Sequence, residues 1–416
     1  MKAKPVKAKK PAAPAAKNVV LLTIDTLRAD ALGCHGSTMG LSPFIDSIQP
    51  KCLRFARAQA AGPYTQASFP GILTSSFYLD YPDHGKGKTL SPERVLVSEP
   101  LRKAGIATAA FHSNPYLCGL FGWNRGWTAF YDSMDDEVSD EIPFIQAEGI
   151  NRKADAWLGG HVAAGNKPFF LWVHYMDMHE PYGPAQKYID AVDPSAKPLA
   201  AEMFALFKET LLARDVSDLK KVALLRTLYL ANVRKVDDCV KEFFGILEKR
   251  GVLGDSTVII TADHGDEFNE HGGLSHDGKM FSELLSVPLM IYDGRRAQGA
   301  VCEKLVSGAD VPPTILALLG RPAEKKFQGR ALLPVENYPD QGQFSEAIGK
   351  KGRLKETDKP VYACREGDLK VMHRVETGEW ALYDLAADPA EKNNIMGSSP
   401  RAGEMKEKLK PRLGRG

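Results

Sequence analysis

Four short apolar runs recur along the chain, and each one stops at a polar or ionisable residue. Asn18 to Ile24 ends at Asp25, and Ala107 to Phe111 ends at His112, Ser113 and Asn114. Phe169 to Val173 leads to His174, Asp177 and His179, and Ser256 to Ile260 leads to Asp263, His264 and Gly265. Runs this apolar read as strands buried on both faces, the signature of a parallel sheet covered by helices. The cover is legible too: from Leu219 to Arg250 apolar residues recur at helical spacing, including Val222, Leu225, Val236, Val240 and Phe243. Open α/β sheets bind their ligands beyond the carboxyl ends of the strands. The four runs therefore deliver their polar residues to one edge.

Other segments fill in the plan. After the turn Gly62-Pro63-Tyr64 a helix is expected over Gln66 to Ser75, placing Thr65 at an N-terminus where backbone N–H groups favour negative charge. Residues 42–56 read as an amphipathic crossing helix, 122–131 as an ordered loop and 185–218 as a mostly polar helical insertion. A strand is expected over Val287 to Tyr292, and a helix over Val311 to Leu319, opened by two prolines and closed by Gly320. Beyond about residue 350 short alternating segments suggest a small antiparallel sheet. The expected organisation is a basic tail at 1–17, a catalytic α/β domain at 18–345 and a small subdomain at 346–416 packed on it.

Charge is unevenly spread. The net formal charge is +2, yet residues 1–17 carry six Lys and no acid, and residues 400–416 carry six Lys or Arg against two Glu. Removing +6 and +4 leaves −8 for the body, which gives no support to a nucleic-acid-binding core. Six cysteines without a CxxC pair suit free thiols in a reducing compartment. The Lys, Ala and Pro leader lacks the apolar core of a secretory signal, and no apolar run reaches membrane-spanning length. The expectation is a cytoplasmic protein with no membrane span, its association into homo-oligomers left open.

Asp25, Asp263 and His264 offer two carboxylates and an imidazole, a donor set for a divalent metal of intermediate softness. A threonine hydroxyl beside such an ion becomes a usable nucleophile, and the ion offsets charge growing on a transferred phosphoryl group. Thr65 is the candidate. His112 and Asn114 are candidate pocket-lining residues that touch substrate. Asp177, His179 and His276 are set apart as a candidate second metal group.

These motifs fall in an order that resembles the sulfatase-like members of the alkaline phosphatase superfamily. The markers are Val20 to Gly36 with Ser42-Pro43, Tyr64 to Phe69, His174 to Tyr182, Asp263-His264-Gly265 with Glu270-His271-Gly272, Ser286-Val287-Pro288 and Trp380 to Leu385. The resemblance implies an alkaline phosphatase-like α/β/α sandwich with a mostly parallel sheet and a small C-terminal antiparallel sheet. It implies one divalent metal on Asp25, Asp263, His264 and Thr65, with Mn or Zn ahead of Ca or Mg. It places Thr65 as the attacking group, and His179 and Lys279 on substrate or leaving-group oxygens.

The chain departs from the sulfatase pattern at the point of attack. Sulfatases of this family carry a Cys or Ser that is converted to formylglycine; Thr65 stands there, Phe69 replaces the Arg of that motif, and Thr26 replaces an Asp. A threonine cannot give the aldehyde. The expected activity is hydrolysis of a phosphodiester or phosphonate monoester through phospho-Thr65. The alternatives are a sulfuric ester hydrolase, a phosphoglycerol- or phosphoethanolamine-type transferase, and an inactive binding protein of the same fold.

Overall fold

The computed structural model describes residues 17–414 except 86, 297, 350–354 and 356. The basic tail expected at 1–17 lies, apart from Lys17, outside the described residues.

The strands are β1 (Asn18–Ile24), β2 (Cys52–Gln59), β3 (Ala107–Phe111), β4 (Ala129–Tyr131), β5 (Phe169–Tyr175), β6 (Ser256–Ala262), β7 (Glu267–Phe268), β8 (Leu274–Ser275), β9 (Leu289–Asp293) and β10 (Ala300–Ser307). Eight form the main sheet, in the order β10-β2-β9-β6-β1-β5-β3-β4, and β7 and β8 make a separate hairpin. All pairs in the main sheet are parallel except those of β9 with β2 and β6. Every residue of β1, β5 and β6 is buried, because helices cover both faces. These three strands lie side by side at the centre, in register from Val19 against Phe170 and Thr257 onward. Their carboxyl ends therefore come level, and so do Asp25, the 176–180 segment and Asp263.

The helix Leu219–Lys249 is the main cover, capped by the Asp218 side chain, which accepts from the amides of Lys220 and Lys221. Its Tyr229 hydroxyl donates to the Thr26 carbonyl and accepts from the Arg28 amide, so the cover also fixes the turn after β1.

Three expectations about elements are corrected. The crossing helix in 42–56 covers only Pro43–Ile48, and Cys52–Gln59 is strand β2. Pro50 sits in a 3₁₀ turn, Gln49–Lys51, that closes the helical stretch, and the register with β9 and β10 claims the rest. The loop expected at 122–131 finishes as edge strand β4, and β10 was not foreseen at all. Both lie at or beside the sheet edges, where apolar patterning is weak.

A second, antiparallel sheet comprises β11 (Gln343–Ile348), β12 (Pro360–Glu366), β13 (Leu369–Arg374) and β14 (Glu379–Asp384). It begins at Gln343, three residues before the expected boundary. A fully buried Lys370–Glu391 pair at 2.5 Å joins it to the loop that follows β8: Lys370 Nζ donates to the Met280 carbonyl, and the Ser282 amide donates to Glu391. All six cysteines are free, and no described helix is long and apolar enough to cross a membrane.

Candidate active site

Two sharp turns build the site. After β1, Thr26 takes a φ of +53°, a conformation that a β-branched residue adopts only when its surroundings hold it there. Its hydroxyl donates to the Met178 carbonyl at 2.7 Å and its amide to Asp263 Oδ1 at 3.2 Å. Thr26, standing where the sulfatase pattern has an aspartate, thus orients one. After β6, Gly265 passes so close to the next segment that a Cβ there would sit 2.1 Å from the Glu283 carbonyl oxygen. Only glycine fits that approach.

Asp25, Asp263 and His264 converge with no exposed surface. His264 Nδ1–H donates to the Gly265 carbonyl at 2.9 Å, which leaves the Nε2 lone pair facing inward. That Nε2 lies 3.3 Å from Asp263 Oδ2, 3.7 Å from Asp25 Oδ1 and 3.4 Å from Thr65 Oγ1. Burial and the neighbouring His276 lower the His264 pKa to about 3, so these are contacts of a neutral ring and not ion pairs. Asp25 Oδ1 and Asp263 Oδ2 are buried without a hydrogen-bond partner. Two orphaned carboxylate oxygens and an imidazole lone pair around one point are what a dication requires, so the residues fit the expected metal. Burial and the charge of Asp25 raise the pKa of Asp263; that of Asp25 is lowered, because the His174 hydrogen bond and nearby imidazoles outweigh its burial.

Thr65 opens the helix Thr65–Thr74, and Ser68 Oγ ties that helix to the site by donating to the Asp263 carbonyl at 2.6 Å. Around it stands a second group: His179, Glu180 and His276. His276 Nδ1 donates to Asp266 Oδ1 at 2.8 Å, and Tyr182 holds the other Asp266 oxygen at 2.5 Å. Burial alone would lower the pKa of His179, but the carboxylates of Glu180 and Asp25 push it up to about 9. Glu180 falls to about 2 against its own burial, through His179 and His276. Gln66, His179, Glu180 and His276 line the inner part of a cavity of 650 Å³.

The structure gives the remaining candidates other partners. Lys279, expected on substrate oxygens, spends its ammonium on Glu267 Oε2 at 2.6 Å and the His271 carbonyl at 3.0 Å. The β7–β8 hairpin holds it there. Asn114, expected on substrate, is bound to a metal-type carboxylate: its Nδ2 donates to Asp25 Oδ2 at 2.9 Å, beside His174 Nε2 at 3.3 Å. His112 stacks on Trp172 with ring centroids 5.0 Å apart and is fully buried under β3. Asp177 leaves the proposed second metal group, because Lys235 takes its carboxylate at 2.5 Å and Glu180 stands in its place beside the two imidazoles. Arg28 is engaged by Asp30 and Glu270.

Glu180 and Asp266 were not foreseen. Glu180 lies between His174 and Tyr182 and Asp266 directly follows Gly265, but whether an acid in a loop faces inward is decided by Ser275 and Tyr182, which are remote in sequence from one or the other. The position of Asn114 carries a consequence: a side chain that orients a metal-type carboxylate typically affects metal affinity about 10- to 100-fold. Asn114→Ala is expected to weaken dication binding within that range, measured by calorimetry.

A mostly parallel sheet between helices, with a carboxylate-imidazole centre at its carboxyl edge and a small antiparallel sheet behind, is the architecture of the alkaline phosphatase superfamily. Residues 17–321 match the sulfatase family, and the chain belongs to it. Residues 270–415 also match the C-terminal region of N-sulphoglucosamine sulphohydrolase. Among relatives, the N-acetylglucosamine-6-O-sulfatase of Bacteroides thetaiotaomicron is 23% identical over 94% of this chain and 84% of that protein. A structure solved in complex with its substrate D-glucosamine-2-N,6-O-disulfate superposes with a TM-score of 0.81 at 20% identity, covering 96% of this chain and 98% of the other. The phosphonate monoester hydrolase of Agrobacterium radiobacter superposes with a TM-score of 0.76 at 20% identity, covering 96% and 95%.

Proposed function

We propose that the chain hydrolyses singly charged esters of a tetrahedral oxyanion, with Thr65 as the direct nucleophile. The observation that carries this is the position of Thr65 Oγ1, 3.4 Å from His264 Nε2 and beside the orphaned oxygens of Asp25 and Asp263. A dication held by Asp25, Asp263 and His264 would lower the pKa of the attacking hydroxyl and offset charge on the transferred group. In the first step the Thr65 hydroxyl releases its proton to solvent as its Oγ bonds to the central sulfur or phosphorus, and the bond to the leaving oxygen breaks. His179, protonated at neutral pH, gives that oxygen a proton. Water then attacks the same central atom and gives a proton to His179, while the bond to the Thr65 Oγ breaks, which frees the inorganic or mono-esterified anion, and the Oγ takes a proton back from solvent.

Sulfate monoesters are the first reading, supported by the names of the relatives such as the Bacteroides enzyme. Phosphodiesters and phosphonate monoesters are the second, favoured by Thr65, which cannot give the aldehyde, and by the phosphonate monoester hydrolase neighbour. All carry one negative charge, whereas a phosphate monoester carries nearly two, and the cavity offers Glu180 beside His179. The test is a rate comparison on p-nitrophenyl sulfate, bis-p-nitrophenyl phosphate and p-nitrophenyl phosphate. One of the first two is expected to lead by about tenfold or more in kcat/KM, equivalent to ~1.4 kcal/mol. A lead for the phosphate monoester sinks the charge argument. The leader of the first two decides between the readings.

A further inference from the structure

Beyond the reacting end, the same cavity changes character. Leu90 lines it together with Phe121 and Trp123, the Leu90 amide bonding the Phe121 carbonyl, and Phe207, Leu211 and Leu212 line it from the insertion that precedes the long helix. Leu212 is 64% exposed and Tyr116, also a lining residue, 50%, so large apolar side chains stand open at the rim. The two arginines that reach the cavity are already engaged. Arg94 is fully buried in a two-pronged contact with Asp83, at 2.7 and 2.8 Å, and Arg214 pairs with Asp277 at 3.0 Å.

We infer that this outer wall receives an apolar leaving group, so that the substrate is the ester of an aryl or long-chain alcohol and not of a sugar. The inference rests on the ester-hydrolase reading above and names the alcohol that it leaves open. Hydroxyl groups set against leucine and phenylalanine give up water without gaining a partner, at a cost of roughly 1 to 3 kcal/mol each in protein sites, a penalty that a hydrocarbon does not incur. The cavity volume of 650 Å³ lies within the range that small-molecule sites occupy. The lining runs on to His179 and His276, so an alcohol seated on the wall has its oxygen beside the proposed proton donor.

The experiment has two arms on the full chain with added Mn or Zn. In the first, kcat/KM is measured for ethyl, butyl, hexyl and octyl sulfates, for the matching methyl alkyl phosphodiesters, and for glucose 6-sulfate. The expected result is a rise of about two- to fourfold per methylene, fourfold being ~0.8 kcal/mol of full burial, with glucose 6-sulfate below hexyl sulfate. Leu212→Asp, and Phe207→Ser as a second variant, are expected to flatten that slope. In the second arm, calorimetry compares the non-hydrolysable 2-naphthalenesulfonate with methanesulfonate, and the naphthyl anion is expected to bind about tenfold tighter or better. A flat slope with glucose 6-sulfate preferred, or equal binding of the two sulfonates, overturns the inference. If no ester is cleaved the hydrolase reading fails, and the calorimetric arm alone then decides what the wall binds.

Discussion

Thr65→Ala is expected to lower turnover of whichever ester the native chain cleaves by on the order of 10⁶-fold, the scale seen when a nucleophile is removed from an otherwise intact site. Dication binding is expected to stay within a few-fold, since Asp25, Asp263 and His264 remain converged and Ser68 still ties the helix to the Asp263 carbonyl. The two readouts together separate attack from folding. Thr65→Ser keeps a hydroxyl at the same helix N-terminus and is expected to recover most of the loss. Threonine oxidises to a ketone and not to an aldehyde, so no conversion of the formylglycine kind is open to this side chain. The intermediate, if Thr65 attacks directly, is a sulfo- or phospho-threonine. Mass spectrometry of acid-quenched enzyme is expected to find that group on the peptide carrying Thr65 and to lose it in the alanine variant. Retention of more than about a tenth of native activity by Thr65→Ala would remove Thr65 from the reaction and leave the site a binding centre.

What could be read in the sequence follows from what local pattern encodes. The central strands are legible because β1, β5 and β6 are apolar on both faces, and the ends of β1 and β6 point to Asp25, Asp263 and His264. Edge elements such as β10 are not, since residues that alternate or face solvent carry a weaker signal. At the site the same division holds. Residues fixed by a central strand fell where the pattern put them, whereas Lys279, Asn114 and Asp177 were drawn off by Glu267, Asp25 and Lys235. Those partners lie 12, 89 and 58 residues away, and a choice among polar contacts at such separations is made by the fold alone. Thr26 shows the converse. Its type suggested only a lost aspartate, yet its strained turn and amide hold Asp263 in place.

The second large effect concerns the dication and follows from the same two carboxylates. Without it, the pKa of Asp263 is raised above 3.8 by burial and by the charge of Asp25. A carboxyl whose folded pKa is raised contributes stability that is complete below its unfolded pKa and is lost as pH rises through the folded one. The metal-free chain should therefore weaken on going from mildly acidic to alkaline buffer. A dication takes the place of the proton, so its stabilising effect should grow over the same pH window. At a hundredfold excess over its Kd the expected gain is about 2.7 kcal/mol, read as a higher Tm with Mn or Zn than with chelator, larger at pH 8 than at pH 5. Asp263→Asn separates stability from function. It removes one of two facing negative charges, so the metal-free variant should unfold at higher temperature than native protein at pH 8. It also removes a ligand, so added metal should no longer raise Tm and turnover should collapse. A variant that still gains as much from the dication as the native chain would show that the ion does not sit between Asp25, Asp263 and His264, and Thr65 would then lack the neighbour that makes it reactive.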